Sequence, residues 1–303
     1  MKILLFGKNG QVGWELQRSL LPLGDLVALD YRDTSLCGDF SHPDGIAETV
    51  RKVAPDIIVN AAAYTAVDRA ESEPGLGRTI NALGPAALAC EAAKRGAWLV
   101  HYSTDYVFDG SGAKPWDETD RTGPLNVYGT TKLEGETAIV ASGCPHLIFR
   151  TSWVFATRGA NFAKKMLCLA QEKDRLTVVN DQIGAPTGAD LLADVTAHAV
   201  RAALTQRDMA GIYHVTASGE ASWWNYARFV LDFARQTGRK LKVSPEDVFP
   251  VSTHAFPSPA MRPKNSRLNT KKLQATFNLQ LPPWQNGVSR MLTEILENQY
   301  DAA

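Results

Sequence analysis

Cysteine is scarce in this sequence, and its few copies are widely spaced. The 303 residues include four cysteines, Cys37, Cys90, Cys144 and Cys168, with no CxxC pair among them. Cysteine zinc sites and dithiol redox sites use closely spaced pairs, and disulfide-stapled folds use more cysteines for their length. These classes are therefore excluded, and we expect buried free thiols in a reducing cytoplasm.

Long apolar runs and an excess of one charge sign are also missing. Lys+Arg and Asp+Glu number 32 each, so the balance predicts no nucleic-acid partner and no attraction to an anionic membrane surface. No apolar run approaches the ~18 residues that a membrane-spanning helix needs. The first apolar run, 2–6, stops at Gly7 and is too short for the core of a signal peptide. We expect a cytoplasmic protein with no membrane partner.

Short apolar runs separated by helix-forming segments are present through the first half of the chain. Such buried strands, alternating with helical crossovers such as 82–94, are typical of parallel sheets. The sequence therefore predicts a doubly wound parallel α/β fold. The predicted strands are Ile3–Phe6, Leu26–Leu29, Ile57–Asn60, Trp98–Tyr102 and Leu147–Phe149.

The regular alternation is lost after residue 150. Runs 176–179 and 211–215 still have strand composition, and we expect both to extend the sheet. The prolines between 245 and 263 predict an ordered loop rather than a helix. We therefore expect a dinucleotide-binding core in 1–150 and a smaller substrate-binding region, interleaved with it, in 151–303.

A glycine turn follows the first predicted strand. Gly7, Gly10 and Gly13 form G-x-x-G-x-x-G, which allows a tight turn and lets backbone amides approach a pyrophosphate at a helix N-terminus. Asp30 closes the second strand, where a carboxylate binds the ribose hydroxyls of NAD, although capping of a loop is the alternative. Arg32 is placed to face a 2′-phosphate. We therefore expect either NADH or NADPH as coenzyme.

Small or flat residues follow other strand ends. Asp39 and Phe40 follow the end of the second strand, and Asn60 is followed by three alanines that include Ala62 and Ala63. Small side chains let the adenine and the nicotinamide ribose lie close to the backbone. Core packing explains the alanines equally well.

Tyr128 and Lys132 stand four residues apart, so they share one face of a predicted helix. A nearby ammonium favours the phenolate and lowers the pKa of a tyrosine toward neutrality, and lysine can also hold the ribose of the coenzyme. Thr104 follows the fourth strand, where its hydroxyl can steady a substrate oxygen. The pattern predicts hydride chemistry with a tyrosine proton donor, the alternative being a solvated helix pair. His101 is interpreted as a packed strand residue.

Together these motifs resemble the extended short-chain dehydrogenase/reductase family. The resemblance extends over nearly the whole chain and implies a Rossmann sheet. It rests on the segments 6–13, 60–68, 103–110, 128–136, 150–155 and 181–187, which read FGKNGQVG, NAAAYTAVD, STDYVFDG, YGTTKLEGE, RTSWVF and DQIGAPT.

The resemblance assigns roles to individual residues. It implies Thr104, Tyr128 and Lys132 as a catalytic triad. It also implies reduction of dTDP-4-dehydro-6-deoxy-L-mannose at C4, to dTDP-L-rhamnose, by hydride from NADH or NADPH. Further coenzyme contacts are expected from Gln11, Val12, Gly13, Tyr64 and Thr65.

Substrate contacts are expected from four residues. The resemblance implies that Thr104, Asp105 and Trp153 bind the nucleotide sugar, and Trp153 offers an apolar face to a ring. Arg262 is a candidate for the diphosphate because a guanidinium matches phosphate oxygens in pairs. A core tryptophan and a surface arginine are the alternatives for the last two.

The C-terminal segment bears on assembly. Val288, Met291, Leu292 and Ile295 form a packing stripe at helical spacing. Some similar reductases hold Mg²⁺ between subunits through glutamates, which makes Glu15, Glu294 and Glu297 candidate ligands, with solvated carboxylates as the alternative. We expect a homodimer in which magnesium is possible at the interface.

Two other functions remain open at this point. A nucleotide-sugar epimerase or 4,6-dehydratase could use the same scaffold, but similar dehydratases follow the threonine with an Asp-Glu pair, whereas Thr104 precedes Asp105 and Tyr106. A non-catalytic NADP-binding regulatory subunit is the second. The intact Thr104, Tyr128 and Lys132 argue against it.

Overall fold

The computed structural model describes residues 1–297, in which strands and helices alternate in the first half of the chain. The strands are β1 (Lys2–Phe6), β2 (Asp25–Leu29), β3 (Ile57–Asn60), β4 (Trp98–Thr104), β5 (His146–Thr151), β6 (Val154–Phe155), β7 (Leu176–Val179), β8 (Ile183–Gly184), β9 (Thr187–Gly188), β10 (Gly211–His214), β11 (Ala221–Ser222) and β12 (Val248–Val251). The helices are α1 (Gln11–Leu20), α2 (Pro43–Val53), α3 (Val67–Ala70), α4 (Pro74–Arg78), α5 (Gly84–Arg95), α6 (Val127–Ala141), α7 (Phe162–Glu172), α8 (Ala189–Ala203), α9 (Trp223–Gln236), α10 (Lys271–Phe277) and α11 (Trp284–Glu297).

A six-stranded parallel sheet forms the centre, in the order β10-β5-β4-β3-β1-β2. The predicted doubly wound α/β fold is confirmed. The chain crosses from one side of β1 to the other between β2 and β3, so the order reverses beside the carboxyl end of β1. Ligands of open α/β sheets bind in the crevice at such a reversal.

The strands are apolar on both faces because helices cover both sides of the sheet. Along β1, Ile3 and Leu5 pack into one hydrophobic cluster with α1 and α8, while Leu4 and Phe6 pack into another with α2 and α5. Alternate side chains of a strand point to opposite faces. This two-sided burial fixes the register of the sheet, and with it the positions of the polar residues that follow each strand.

The C-terminal region has its own hydrophobic cluster, built from α7, α9, α11 and the strands β7 and β12. The expectation that 176–179 extends the central sheet is wrong. Val178 and its neighbours in β7 pair with β12, in parallel, as a separate two-stranded ladder. The expectation for the other run is confirmed, since β10 forms an edge of the central sheet beside β5. The proline-rich segment is largely irregular, but it contains β12.

The packing stripe on α11 is used within the chain. Val288, Met291 and Leu292 are buried in the C-terminal cluster, and Ile295 packs against it. These side chains are therefore unavailable as an interface. The part of the predicted tail beyond Glu297 lies outside the described residues.

The cysteines are free, but the expectation that they are buried is wrong for most of them. Cys144 is buried, Cys37 is intermediate, and Cys90 and Cys168 are exposed. Exposure follows from their positions, since Cys90 lies on α5 and Cys168 on α7, both surface helices. Among residues 1–297, no helix is both long and apolar enough to cross a membrane.

Candidate active site

The glycine turn connects β1 to α1 at the reversal point of the sheet. Gly7 has φ of 84°, and a Cβ there would stand 2.7 Å from the backbone nitrogen of Ala62. A Cβ at Gly13 would collide with the carbonyl of Gly7. Glycine is therefore required at both positions, by backbone conformation at the first and by close packing at the second. Gly10 precedes the first residue of α1 and lines a cleft.

That cleft has a volume of about 910 Å³ and lies beside the carboxyl ends of β1, β2 and β3. Its size and glycine-lined floor fit a dinucleotide. Eight of the predicted coenzyme residues line it: Gly7, Gly10, Asp30, Arg32, Asp39, Phe40, Ala62 and Ala63. The remaining predicted coenzyme residues are absent from its described lining: Gln11, Val12, Gly13, Tyr64, Thr65, Tyr128 and Lys132.

Asp30 lines the cleft and is buried. Its Oδ1 accepts a hydrogen bond from the backbone N–H of Arg32 at 2.8 Å, and its Oδ2 accepts one from Asn9. The Arg32 guanidinium lies over the ring of Tyr31, 5.1 Å from its centroid, and is exposed. The carboxylate is thus held by two hydrogen bonds, while the exposed guanidinium is held only by Tyr31, whose hydroxyl accepts from Arg32 Nε at 2.9 Å.

Sequence reasoning missed two polar residues at this cleft. Asn9 sits within the glycine turn, where its contact with Asp30 could have been anticipated. Arg158 comes from the loop after β6. Its Nε donates to the carbonyl of Asn9 at 3.2 Å, and its guanidinium stacks 4.1 Å from the Trp14 ring centroid. No local pattern signals Arg158, because 149 residues separate it from Asn9.

Helix α6 carries Tyr128 and Lys132 and is anchored at its first turn. Asn126 caps the helix by accepting a hydrogen bond from Gly129 N–H at 2.8 Å, and its amide donates to the carbonyl of Met261 at 2.7 Å. A Cβ on Gly129 would collide with the carbonyl of Tyr106. This close approach brings the start of α6 against the end of β4.

Thr104, Tyr128 and Asp105 meet at the carboxyl end of β4. The Thr104 hydroxyl donates to Asp105 Oδ1 at 3.1 Å and accepts from Tyr106 N–H at 3.2 Å. Burial raises the pKa of Tyr128 to about 12; a hydrogen bond with Thr104 opposes this and the Asp105 charge adds to it. Burial also raises the pKa of Asp105 to about 6, against hydrogen bonds from Ser266 and Thr104. The expected lowering of the Tyr128 pKa is therefore wrong for the coenzyme-free chain.

Lys132 is 2% exposed and points toward the backbone of β4. Its Nζ donates to the carbonyl of Tyr102 at 2.6 Å and lies 3.1 Å from Nε2 of His101. Burial lowers the pKa of Lys132 to about 8, while the Glu136 carboxylate opposes the shift. His101 is fully buried as expected, but it also contacts Asn60 through Nδ1 at 3.0 Å.

Trp153 follows β5 in a left-handed backbone conformation, with φ of 51°. Its ring stacks on Trp223, with 3.6 Å between the centroids, and Gly184 leaves room for it: a Cβ there would lie 2.8 Å from the indole. A non-glycine residue with positive φ is strained, and such strain is concentrated at functional sites. Trp223 thus covers one face of the ring, Gly184 packs against the indole, and the side chain stays partly exposed.

Arg262 lies close to the tyrosine pair rather than out on the surface. Its Nη2 donates to Asp68 at 2.8 Å. Burial opposes a rise in the pKa of Arg262, but Asp68 and the nearby Tyr106 hydroxyl raise it. The Tyr106 ring packs edge-on against Tyr128, with 5.5 Å between the centroids. The guanidinium is thus held at the border of the catalytic cluster, about half-buried, where an anionic group could reach it.

The structure brings two of the three candidate metal ligands together. Glu15 on α1 and Glu294 on α11 line one small cavity, with Asp190 and Arg290. Arg290 pairs with Glu294 at 3.3 Å and with Asp190 at 3.5 Å, so this cavity already contains a cation. Glu297 is not part of its described lining. Within residues 1–297, no group of three His, Cys, Asp or Glu side chains is placed to hold a metal ion.

The sequence is similar to a described family over the whole described chain. The family of the RmlD substrate binding domain matches residues 1–297. The dTDP-4-dehydrorhamnose reductase of Escherichia coli K12 is 60% identical over 295 residues, which covers 97% of this chain and 98% of that protein.

Solved structures agree with this similarity. A dTDP-4-dehydrorhamnose reductase from Clostridium acetobutylicum is 35% identical, with a TM-score of 0.86 over 98% of this chain and 100% of that one. The enzyme of the same name from Bacillus anthracis, solved in complex with NADP, is also 35% identical, with a TM-score of 0.86 over 97% of this chain and 99% of that one.

Proposed function

The chain belongs to the family of the RmlD substrate binding domain, and we propose that it is a dTDP-4-dehydrorhamnose reductase in which Tyr128 donates the proton. It reduces dTDP-4-dehydro-6-deoxy-L-mannose at C4 to dTDP-L-rhamnose. The observation that carries the proposal is the placement of Tyr128 and the buried Lys132 of α6 against the carboxyl end of β4, where Thr104 lies.

NADH or NADPH, when bound in the cleft, supplies the hydride. Tyr128 is protonated at neutral pH, since burial holds its pKa near 12, and its hydroxyl therefore has a proton to give to the carbonyl oxygen of the sugar. Thr104 steadies that oxygen, and Lys132 holds the coenzyme ribose and compensates the phenolate that remains. A positioned general acid contributes about 10²–10⁴ in rate.

The substrate subsites of the proposal follow from the same cluster. Thr104 and Asp105 contact the sugar, Arg262 binds the diphosphate, and the partly exposed Trp153 packs against a ring. Support comes from the placement of Arg262 beside Tyr106 and from the strained backbone of Trp153.

Nothing specific in the described site favours the two other functions. Asp105 is followed by Tyr106, whose ring packs against Tyr128, so the second acid of a dehydratase has no counterpart there. The 60% identity to a named reductase over most of the chain supports catalysis rather than binding alone.

The test is the oxidation of NADH or NADPH on adding the dTDP-4-keto sugar, with identification of the product. We expect one coenzyme to be oxidised for each dTDP-L-rhamnose formed. Tightly retained NAD with no net oxidation would instead indicate an epimerase. Folded protein that binds coenzyme without turnover would indicate a regulatory subunit.

We further propose that both coenzymes are used. Asp30 favours NADH through the ribose hydroxyls, and the exposed Arg32 relieves the repulsion between Asp30 and a 2′-phosphate. In Arg32→Ala, we expect the affinity for NADPH to fall relative to that for NADH, measured by fluorescence titration of each coenzyme. An unchanged ratio of the two affinities would remove the role given to Arg32.

A cytoplasmic homodimer completes the proposal. The magnesium prediction does not fit a single subunit, because the described donors are incomplete and Arg290 already neutralises part of the carboxylate charge.

A further inference from the structure

His101 bridges two polar side chains in the interior of the sheet, and its role is not explained by packing alone. It lies on β4 with no exposed surface. Its Nε2 is 3.1 Å from Nζ of Lys132, and its Nδ1 is 3.0 Å from Nδ2 of Asn60 on β3. The imidazole therefore connects the lysine of the proposed triad to a neighbouring strand.

The amide of Asn60 fixes which nitrogen of His101 carries the proton. Asn60 Oδ1 accepts a hydrogen bond from the backbone N–H of Ala62 at 3.0 Å, so this oxygen cannot turn toward the ring without leaving the N–H unpaired. The NH₂ group, a donor only, consequently faces Nδ1. Nδ1 must accept, and a neutral imidazole then carries its hydrogen on Nε2.

The hydrogen on Nε2 points at Nζ of Lys132. An ammonium has three N–H donors and no lone pair. A charged Lys132 would therefore place an N–H donor against the Nε2–H donor of His101, with 3.1 Å between the nitrogens. A neutral amine has a lone pair that accepts from Nε2–H, while one of its own hydrogens goes to the Tyr102 carbonyl. The hydrogen bonds are therefore mutually consistent when Lys132 is uncharged.

We propose that His101 is a positioning residue that holds Lys132 as a neutral amine in the coenzyme-free enzyme, so that coenzyme binding takes up one proton on Nζ. The proposal rests on the proposed function for the nature of the coenzyme. Once protonated, Nζ finds no acceptor at Nε2, which favours donation to the ribose hydroxyls instead. The proton comes from solvent, and the resulting ammonium stands ready to compensate the Tyr128 phenolate.

The charges around Lys132 agree with a neutral amine above about pH 8. Burial lowers the pKa of Lys132 to about 8. Glu136, on the same helix, favours the ammonium, but it is bound by Arg150 on β5 through Nη2 at 2.6 Å. Two further ionisable side chains belong to the same cluster: Asp105, directly after β4, and Tyr128, on α6.

Asp105 and Tyr128 titrate outside the pH range in which Lys132 changes charge. The pKa of Asp105 is raised to about 6 and that of Tyr128 to about 12, while the pKa of His101 is lowered well below its ordinary value by burial and by Lys132. The buried Tyr102 hydroxyl has its pKa raised as well. Between about pH 7.5 and 9.5, Lys132 is therefore the group of this cluster that changes charge.

The experiment measures proton uptake on NADH binding, by calorimetry in two buffers of different ionisation enthalpy at about pH 8.5. NADH is used because it lacks the 2′-phosphate, which is a titrating group in NADPH. We expect the parent enzyme to take up most of one proton. In His101→Leu, the neutral amine loses its donor, the pKa of Lys132 rises by about half to one unit, and the uptake falls by roughly half.

Asn60→Asp is a nearly isosteric second variant that reverses the tautomer. Its carboxylate accepts from both Ala62 N–H and Nδ1–H, which leaves Nε2 as an acceptor for an ammonium. The uptake should then fall further than in His101→Leu. The matched control is His214→Leu, another fully buried strand histidine, on β10, which should keep the parent's uptake.

No proton uptake in the parent, or parental uptake in both His101→Leu and Asn60→Asp, would overturn the proposal. The readout is coenzyme binding and not turnover. An enzyme that shows the expected uptake but does not reduce the dTDP-4-keto sugar would therefore refute the proposed function and leave this inference standing.

Discussion

For Tyr128, the residue pattern predicted the position on a helix with Lys132 but gave the wrong direction for the pKa shift of the phenol. The spacing of Tyr128 and Lys132 places both on α6, but the lysine points at the Tyr102 carbonyl and does not lower the pKa of the phenol. Burial dominates, because a charged phenolate loses more hydration than Thr104 restores. A donor that stays protonated until the reaction begins suits a reductase.

Replacing Tyr128 by phenylalanine tests the donor directly. Tyr128→Phe keeps the ring that packs against Tyr106 and removes only the hydroxyl, so folding and coenzyme binding should survive. We expect the chemical step to slow by about 10²–10⁴ at saturating NADH and dTDP-4-keto sugar, measured in single-turnover experiments. Tyr106→Phe is the matched control and should stay within a few-fold of the parent. A Tyr128→Phe rate near that of the parent would move the proton to Asp105 or water.

Asp105 gives a pH-dependent prediction for stability. Its pKa is raised to about 6, so the folded chain holds this proton more tightly than the unfolded chain, in which the pKa is near 3.8. As the pH rises from about 4 to 6, the unfolded state loses the proton first, and Asp105 makes folding progressively less favourable. Asp105→Asn lacks this effect and should gain about 1–3 kcal/mol over the parent above pH 6.

Urea unfolding of both proteins between about pH 4 and 7 measures the difference. The advantage of Asp105→Asn should disappear toward pH 4. An advantage that is constant over this range would show that the carboxyl group is not the titrating group.

At the scale of elements, the sequence predicted well what depends on local pattern. Strands 57–60 and 211–214 were anticipated nearly to the residue, because short apolar runs are signals that need no knowledge of partners. Leu176–Val179 was assigned to the wrong sheet, since its composition suits any buried ladder and its partner, β12, lies 72 residues away. The pairing of a strand depends on its partner, and the proline in β12 hid that partner from sequence analysis.

The attachment of α6 to β5 is the next prediction. Glu136 accepts from Arg150 Nε at 2.9 Å and from Nη2 at 2.6 Å, and both side chains are at most 3% exposed. Glu136→Gln leaves a buried guanidinium without its counter-charge, so we expect a loss of about 3–5 kcal/mol in the free energy of unfolding, measured with urea.

Glu134→Gln is the control on the same helix. Glu134 pairs with Arg78 at 2.7 Å, but both side chains are well exposed, so the loss should be about 0–1 kcal/mol. Similar losses in the two variants would mean that the buried pair does not secure α6 to the sheet.

At the scale of the molecule, the site is assembled from parts that are distant in sequence. Arg262 approaches Tyr106 from the C-terminal region, and Arg158 reaches the glycine turn from the loop after β6. The sequence motifs supplied Gly7, Asp30, Thr104 and the α6 pair because each follows a strand or shares a helix face. The long-range contacts could not be predicted, since they depend on how the C-terminal cluster packs beside the sheet.

Assembly is the last prediction. Since the stripe on α11 is buried within the chain, a dimer must use an exposed surface, and the carboxylates of Glu15, Asp190 and Glu294 border one. Arg290 already pairs with Asp190 and Glu294, so these surfaces can meet without a metal ion. We expect sedimentation equilibrium to give a homodimer that is indifferent to chelator. Glu15→Gln should dimerise as the parent does, and so should the control Glu48→Gln, a carboxylate on α2 paired with Lys52. A dimer that dissociates with chelator would contradict the metal-free interface, and a monomer at every concentration would reject dimerisation itself.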